Sequence, residues 1–226
     1  MSSDFGKKAF FFDMDGVLFD SMPRHAIAWE EVMKRHGLPF TARDCYINEG
    51  RTGESVIREA FRKVLDREAT PEEVKTIYAE KSAYYHQLIK TSTETIPGVR
   101  EVLQWVKETG SQIWVVTGSG MLTLLDGLNQ AFPSVFQQDR MITAYDVVHG
   151  KPDPEPYLKA WERSGLAKEQ CYVIENAPLG VQSGKAAGLT VYAVNTGVLT
   201  REDLLREGAD QVFDSMEELL AFLQTN

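Results

Sequence analysis

The chain has 226 residues, 43% of them hydrophobic and 25% charged, and carries a formal net charge of −9. That length holds one large domain or two smaller ones, with the composition of an ordinary soluble globular protein. The acidic balance argues against nucleic acid or an anionic membrane as the main partner, but leaves room for a small anionic substrate in a local basic pocket.

The opening, MSSDFGKKAFFF, sets a basic pair before an apolar run that is too short for the core of a secretory signal. No stretch reaches the roughly 18 apolar residues that span a bilayer. The run reads instead as a buried strand over 9–12, aimed at Asp13, Met14, Asp15 and Gly16. Two carboxylates two residues apart share one face of an extended chain. Their repulsion needs a counter-charge.

From 23 to 92 the chain reads as helix only. A first helix covers 23–36 and stops at Gly37. A second starts near Glu54, with Val56, Ile57, Ala60, Phe61, Val64 and Leu65 at helical spacing. A third is announced by TPEE, with Thr70 as N-cap, Pro71 at the first helical position and Glu73 closing a capping box, and runs to Ile89. Cys45, in this block, and Cys171 match no metal or redox spacing and read as free thiols in a reducing cytoplasm.

The rest alternates. Strands are predicted over 112–116, 141–143, 172–174, 190–194 and 211–213, and helices over 99–108, 122–131, 156–163, 179–187, 201–207 and 216–223. Ser215 and Glu218 form a capping box for the last helix. Such alternation implies an α/β fold, a Rossmann-like parallel sheet core with helices on both faces. The all-helical block is then an inserted cap over 21–92, with 1–20 and 93–226 as the core. An insertion at a sheet's carboxyl edge is well placed to cover a site there.

Four polar clusters follow four strands: DMDG, TGSG (117–120), GKPDPEPY (150–157) and ENAPLG (175–180). Each alone reads equally well as turn or cap chemistry. Together they offer carboxylates, a hydroxyl, a lysine and an amide at one sheet edge, a set that suits magnesium and a phosphoryl group.

On DMDGVLFDS, TGS, KPDPEPY and ENAPLGVQSGKAAG, in that order, the chain resembles the haloacid dehalogenase superfamily, in its phosphatase and β-phosphoglucomutase-like branch. The resemblance covers essentially the whole chain. It implies that Asp13 is a nucleophile forming an aspartyl-phosphate and that Asp15 is the general acid–base. Magnesium would bind the Asp13 carboxylate, the Asp15 carbonyl, and Glu175 or Asn176. Thr117, Gly118 and Ser119 would hold phosphoryl oxygens, and Lys151 would neutralise charge. Asp15 argues against dehalogenase chemistry.

One position departs from the family pattern: Asn176 stands where an aspartate is usual. The cap loop NEGRTGES (48–55) could compensate by bringing Glu49 to the metal; the other reading makes Glu49 a solvated loop acid. The mutase's cap lysine and arginine positions are Glu49 and Gly53 here, and its lysine after the second core strand is Gly120, which favours hydrolysis. The loop EGRTG with DSMPRH looks closer to inorganic pyrophosphatase-like members. Arg24, His25, Arg51 and Lys81 are candidate cap cations for the substrate, each of which reads also as a solvated or structural side chain. Trp29 and the Tyr84–Tyr85 pair read as packing. The expectation is a cytoplasmic, monomeric, magnesium-dependent phosphohydrolase acting on a small phosphorylated substrate, pyrophosphate first and a small sugar phosphate next. β-Phosphoglucomutase is the alternative, and a phosphorylatable signalling switch is a further one.

Overall fold

The computed structural model describes residues 7–89, 94–119 and 124–225. Strands β1 (Ala9–Phe12), β2 (Gln112–Val116), β3 (Met141–Ile142), β4 (Cys171–Glu175), β5 (Thr190–Val194) and β6 (Gln211–Phe213) form one parallel sheet in the order β3-β2-β1-β4-β5-β6. Every side chain of β1 is buried, which is why AFFF is apolar throughout and does not alternate. Phe10 and Phe12 join a core cluster with α5 (Val99–Glu108), α6 (Leu124–Ala131) and α10 (Met216–Thr225). Ala9 and Phe11 face the other way, into a cluster with α7 (Glu155–Ser164), α8 (Pro178–Ala186) and α9 (Arg201–Arg206).

Helices α1 (Met22–Arg35), α2 (Ala42–Ile47), α3 (Gly53–Leu65) and α4 (Pro71–Leu88) lie between β1 and α5 in the chain. They bury a cluster of their own around Trp29, Met33, Ile57, Phe61 and Ile77, which also takes in Leu199 from the core. The chain leaves and re-enters the core side by side. Asp20 N–H donates to the Glu94 carbonyl at 2.8 Å, and Phe19 pairs antiparallel with Thr95. The predicted boundary at 92/93 and the start of the predicted 122–131 helix lie outside the described residues.

Most predicted bounds agree within one or two residues. The helix α2 was not expected: six residues are too few for a periodic signal, yet Thr41 and Asp44 form a full capping box for it. The box at the last helix is modified. Ser215 Oγ accepts from Glu218 N–H, but the Glu218 carboxylate reaches the amide of Asp214, one residue earlier than expected.

Candidate active site

In a sheet of this order the crevice lies where the strand sequence reverses, between β1 and β4. Asp13 sits at that point, its amide still on the ladder through the Ile174 carbonyl at 3.0 Å. The segments after β2 and β3 bring Thr117 and Lys151 beside it, the last residue of β4 and the next bring Glu175 and Asn176, and all five side chains are buried.

Lys151 organises the set. Its Nζ donates to Asp13 Oδ1 at 2.5 Å, Glu175 Oε1 at 2.6 Å and the Val116 carbonyl at 3.0 Å, using all three donors. Burial opposes its charge, but Asp13 and Glu175 outweigh burial and raise its pKa. The ring of Tyr157 lies 5.0 Å from the same Nζ.

Glu175 Oε1 also accepts from the Tyr157 hydroxyl at 2.8 Å, and Oε2 accepts the amides of Asn176 and Ala177 at 3.0 and 3.3 Å. Both its oxygens are therefore engaged by the chain. The Asn176 Oδ1, by contrast, is buried with no partner, so of the two oxygen donors expected for a metal, Asn176 is the available one.

Glu49 is not a solvated loop acid. It is 8% exposed, and both its oxygens accept from Asn176 Nδ2, at 3.0 and 3.1 Å. Burial, then Asp13, raise its pKa well above the carboxylate range. Gly16 makes room: a Cβ there would stand 2.1 Å from Asn176 Nδ2 and 3.2 Å from Glu49 Oε1, and its φ of 77° suits glycine in any case. Gly50 lies over Lys151, and its carbonyl would be 3.1 Å from a Cβ on Gly118. The cap loop is thus lowered onto the core.

Asp13 and Glu175 share the buried Lys151 ammonium, and the Glu49 carboxyl stands close enough to Asp13 to feel its charge. Burial, with Glu175 close by, pushes Asp13 up to about 8 despite Lys151. Excess negative charge, an orphaned amide oxygen and oxygen-only donors fit a hard divalent cation that keeps several waters. Among the described residues no three His, Cys, Asp or Glu side chains form a ready-made metal cluster. The fit therefore rests on mixed carboxylate, carbonyl and amide oxygens.

Asp15 Oδ1 accepts from Ser21 Oγ at 2.5 Å and lies 3.6 Å from His25 Nε2. Burial works to raise its pKa, but His25 and Ser21 prevail and it is lowered. His25 Nδ1 is 2.8 Å from Lys81 Nζ. An ammonium can only donate, so Nδ1 accepts and the imidazole proton sits on Nε2, facing Asp15. The His25 ring stacks on Tyr85 with centroids 4.0 Å apart. Lys81 Nζ lies 5.1 Å from the Trp29 ring and 5.0 Å from that of Tyr85, and burial lowers its pKa to about 8.

Asp13, Asp15, His25, Glu49 and Lys81 line a cavity of about 710 Å³ between cap and core, which Thr117, Gly118, Ser119 and Arg51 also line. Ser119 N–H donates to Thr117 Oγ1 at 3.0 Å. The Arg51 Nε is buried without a partner. Arg24 is not in the cavity wall; its Nη1 braces the hinge on the Asp20 carbonyl at 2.9 Å. Trp29 and Tyr85 line the cavity as well as pack, while Tyr84 only packs. Gly120 lies outside the described residues. Sequence reasoning missed Cys45 and Tyr78 in the wall. It also missed Tyr157 and Ser21 as hydrogen-bond donors to Glu175 and Asp15. Tyr157 was legible as the last residue of KPDPEPY; Cys45 was not, because it lies on the unforeseen α2.

Residues 7–188 match the family model of haloacid dehalogenase-like hydrolases. The chain is 32% identical to hexitol phosphatase A of Escherichia coli (strain K12), over 97% of this chain and 96% of that protein. It is 30% identical to a phosphorylated carbohydrates phosphatase of Thermotoga maritima, over 94% of this chain and 100% of that one. A solved structure from Bacteroides vulgatus, provisionally named a beta-phosphoglucomutase, superposes with a TM-score of 0.91 at 47% identity, covering 97% of this chain and 88% of that chain. With the fold, the Asp13–Lys151 pair and this match over most of its length, the chain belongs to the haloacid dehalogenase-like hydrolases.

Proposed function

We propose that the protein is a magnesium-dependent phosphohydrolase working through an aspartyl-phosphate on Asp13, with 1–20 and 93–226 as catalytic core and 21–92 as cap. The observation that carries this reading is the buried Asp13, held by Lys151 at 2.5 Å beside the unpartnered Asn176 Oδ1. Asp13, the Asp15 carbonyl and Asn176 would hold magnesium, with Glu49 engaging it or its waters. The ion would supply charge stabilisation for the transferring phosphoryl group. Glu175 holds Lys151 in place through its 2.6 Å contact and leaves the ligand role to Asn176.

The Asp13 carboxylate, which a bound divalent cation would keep ionised against the effect of burial, attacks phosphorus and the leaving oxygen departs with a proton from Asp15. Asp15 then takes a proton from water, which hydrolyses the aspartyl-phosphate and restores Asp13. The lowered pKa of Asp15 leaves it ionised at neutral pH, the form that activates water. An approaching phosphoryl anion raises it for the acid step. Thr117, the Gly118 amide and Ser119 hold phosphoryl oxygens, and Lys151 offsets their charge.

For the substrate, inorganic pyrophosphate is the first reading, supported by Glu49 on Asn176 and by Arg51 and Lys81 in the cavity wall. A phosphorylated sugar or polyol is the second. Its support is the 710 Å³ cavity with Trp29, Phe40, Val56 and Tyr85 in its wall, and the carbohydrate and hexitol phosphatases among the relatives. The test is phosphate release, with and without magnesium, from pyrophosphate, hexose and hexitol phosphates and nucleotides, alongside β-glucose 1-phosphate isomerisation primed with the bisphosphate. Sustained release over many turnovers is the expected result. Isomerisation without comparable hydrolysis would establish the mutase instead. A single phosphoryl transfer without turnover would establish the switch.

A further inference from the structure

A second contact joins cap and core besides that of the cap loop. The β5–α9 loop, residues 195–200, touches three parts of the site's frame. Thr196 Oγ1 donates to the Gly16 carbonyl at 2.6 Å, tying the loop to the turn after Asp15. Gly197 lies against the ring of Tyr46 on α2, so closely that a Cβ on Gly197 would stand 2.4 Å from the ring's Cε1. Leu199 is buried inside the cap's own apolar cluster, together with Tyr46 and Cys45. Just beyond, Arg43 Nη2 on α2 donates to both oxygens of Asp203 on α9, at 3.1 and 3.3 Å.

Helix α2 ends at Ile47, two residues before Glu49. The short link is itself hydrogen-bonded: Glu49 N–H to the Tyr46 carbonyl at 3.4 Å and Arg51 N–H to the Asn48 carbonyl at 3.2 Å. Whatever fixes α2 therefore fixes the reach of Glu49. We infer that the β5–α9 loop is a docking seat for α2, and that Tyr46, Leu199 and Arg43 are positioning residues that set Glu49 on Asn176 and the cap over the site. The apolar contact does most of this, because the Arg43 side chain is half exposed and its pair with Asp203 is screened. The seat recognises a closed cap without touching substrate, so its state decides how often the site is assembled.

The test is Gly197→Ala. The backbone at 197 lies outside the left-handed region, so alanine is tolerated there, and the added methyl displaces Tyr46. Amide hydrogen exchange at Glu49 and Arg51 is expected to quicken by roughly five-fold or more, with amides of β1 and β4 unchanged. The ratio of kcat to KM for pyrophosphate and for p-nitrophenyl phosphate falls together with that exchange, and Tyr46→Phe keeps both at wild-type values. In a Tyr46→Ala background Gly197→Ala adds little, because the ring it would strike is gone. Arg43→Ala, a surface change that leaves folding intact, gives a smaller quickening in the same amides. Unchanged exchange at 49 and 51 in both Gly197→Ala and Arg43→Ala, or full additivity with Tyr46→Ala, overturns the proposal. The inference rests on the proposed function only for its kinetic readout. If the wild-type protein turns over neither substrate, the exchange measurements still decide it.

Discussion

Asn176 Nδ2 donates to both carboxylate oxygens of Glu49, at 3.0 and 3.1 Å, across the boundary between core and cap. The residue that departs from the family's usual aspartate is thus the one that can receive a cap acid. An aspartate at 176 would lose that donor and set a further acid against Glu49, whose carboxyl burial and Asp13 already hold well above the usual range. Asn176→Asp is expected to destabilise the protein by about 1–3 kcal/mol without magnesium and to recover part of that with it. The double variant Asn176→Asp/Glu49→Gln restores a donor and relieves the repulsion. Denaturant titrations with and without magnesium check this, and equal stability of wild type and single variant would refute it.

Glu49→Gln alone keeps one acceptor for Asn176 but removes a negative charge from the proposed metal's surroundings. The magnesium concentration for half-maximal turnover is expected to rise by roughly ten-fold, with folding intact. A magnesium titration of phosphate release reads this directly. An unchanged midpoint and turnover would remove Glu49 from any metal role.

Asp13→Asn leaves an oxygen acceptor for Lys151 Nζ but no nucleophile. Turnover should fall by roughly 10⁴-fold or more, and rapid quenching should trap no phosphorylated protein, where wild type gives a labelled acyl phosphate.

Gly180 on α8 faces the Glu175 carboxylate, where a Cβ would stand 1.8 Å from Oε1. Gly180→Ala therefore dislodges Glu175 and, with it, the 2.6 Å contact that holds Lys151. A loss of about 1–3 kcal/mol is expected from overpacking, with a fall in turnover that Gly127→Ala, in open space on α6, does not show.

Lys81 gives a pH dependence with a definite sign. Burial lowers its pKa from 10.5 to about 8, so between those values the unfolded chain binds more protons than the folded one. Stability from this group therefore rises with pH through that window, and the cost of burying the charge is complete below pH 8. Lys81→Met, filling the space between Trp29 and Tyr85, should be the more stable protein at pH 7, by about 1–3 kcal/mol. The gap narrows toward pH 10. Chemical denaturation of both proteins at pH 7, 8.5 and 10 tests this; a constant gap would contradict it.

Much of the fold was legible because its signals are local. A continuous apolar run before two acids, capping residues such as Thr70 and Glu73, and strand–helix alternation each report on a few neighbouring residues. Among the described residues they sufficed for the six strands, and for three of the four cap helices. The fourth, α2, has one and a half turns and no period to read; its Thr41–Asp44 box was the one available sign.

The sequence determined which chemical groups stand at the ends of β1, β2 and β4 and in the loop after β3, because a parallel sheet sends every such end to the same edge. Only the tertiary structure decided how those groups share their hydrogen bonds. Glu175 and Asn176 are adjacent in the chain, yet one turns onto Lys151 and Tyr157 while the other turns to Glu49 and keeps Oδ1 unpartnered. The same holds in the cap: Arg24 and His25 are neighbours, but one braces the hinge and the other reaches Asp15 and Lys81. Those choices depend on rotamers and on contacts across more than a hundred residues of chain, such as Asn176 with Glu49. Local propensity carries no information about such contacts, and packing settles them all at once.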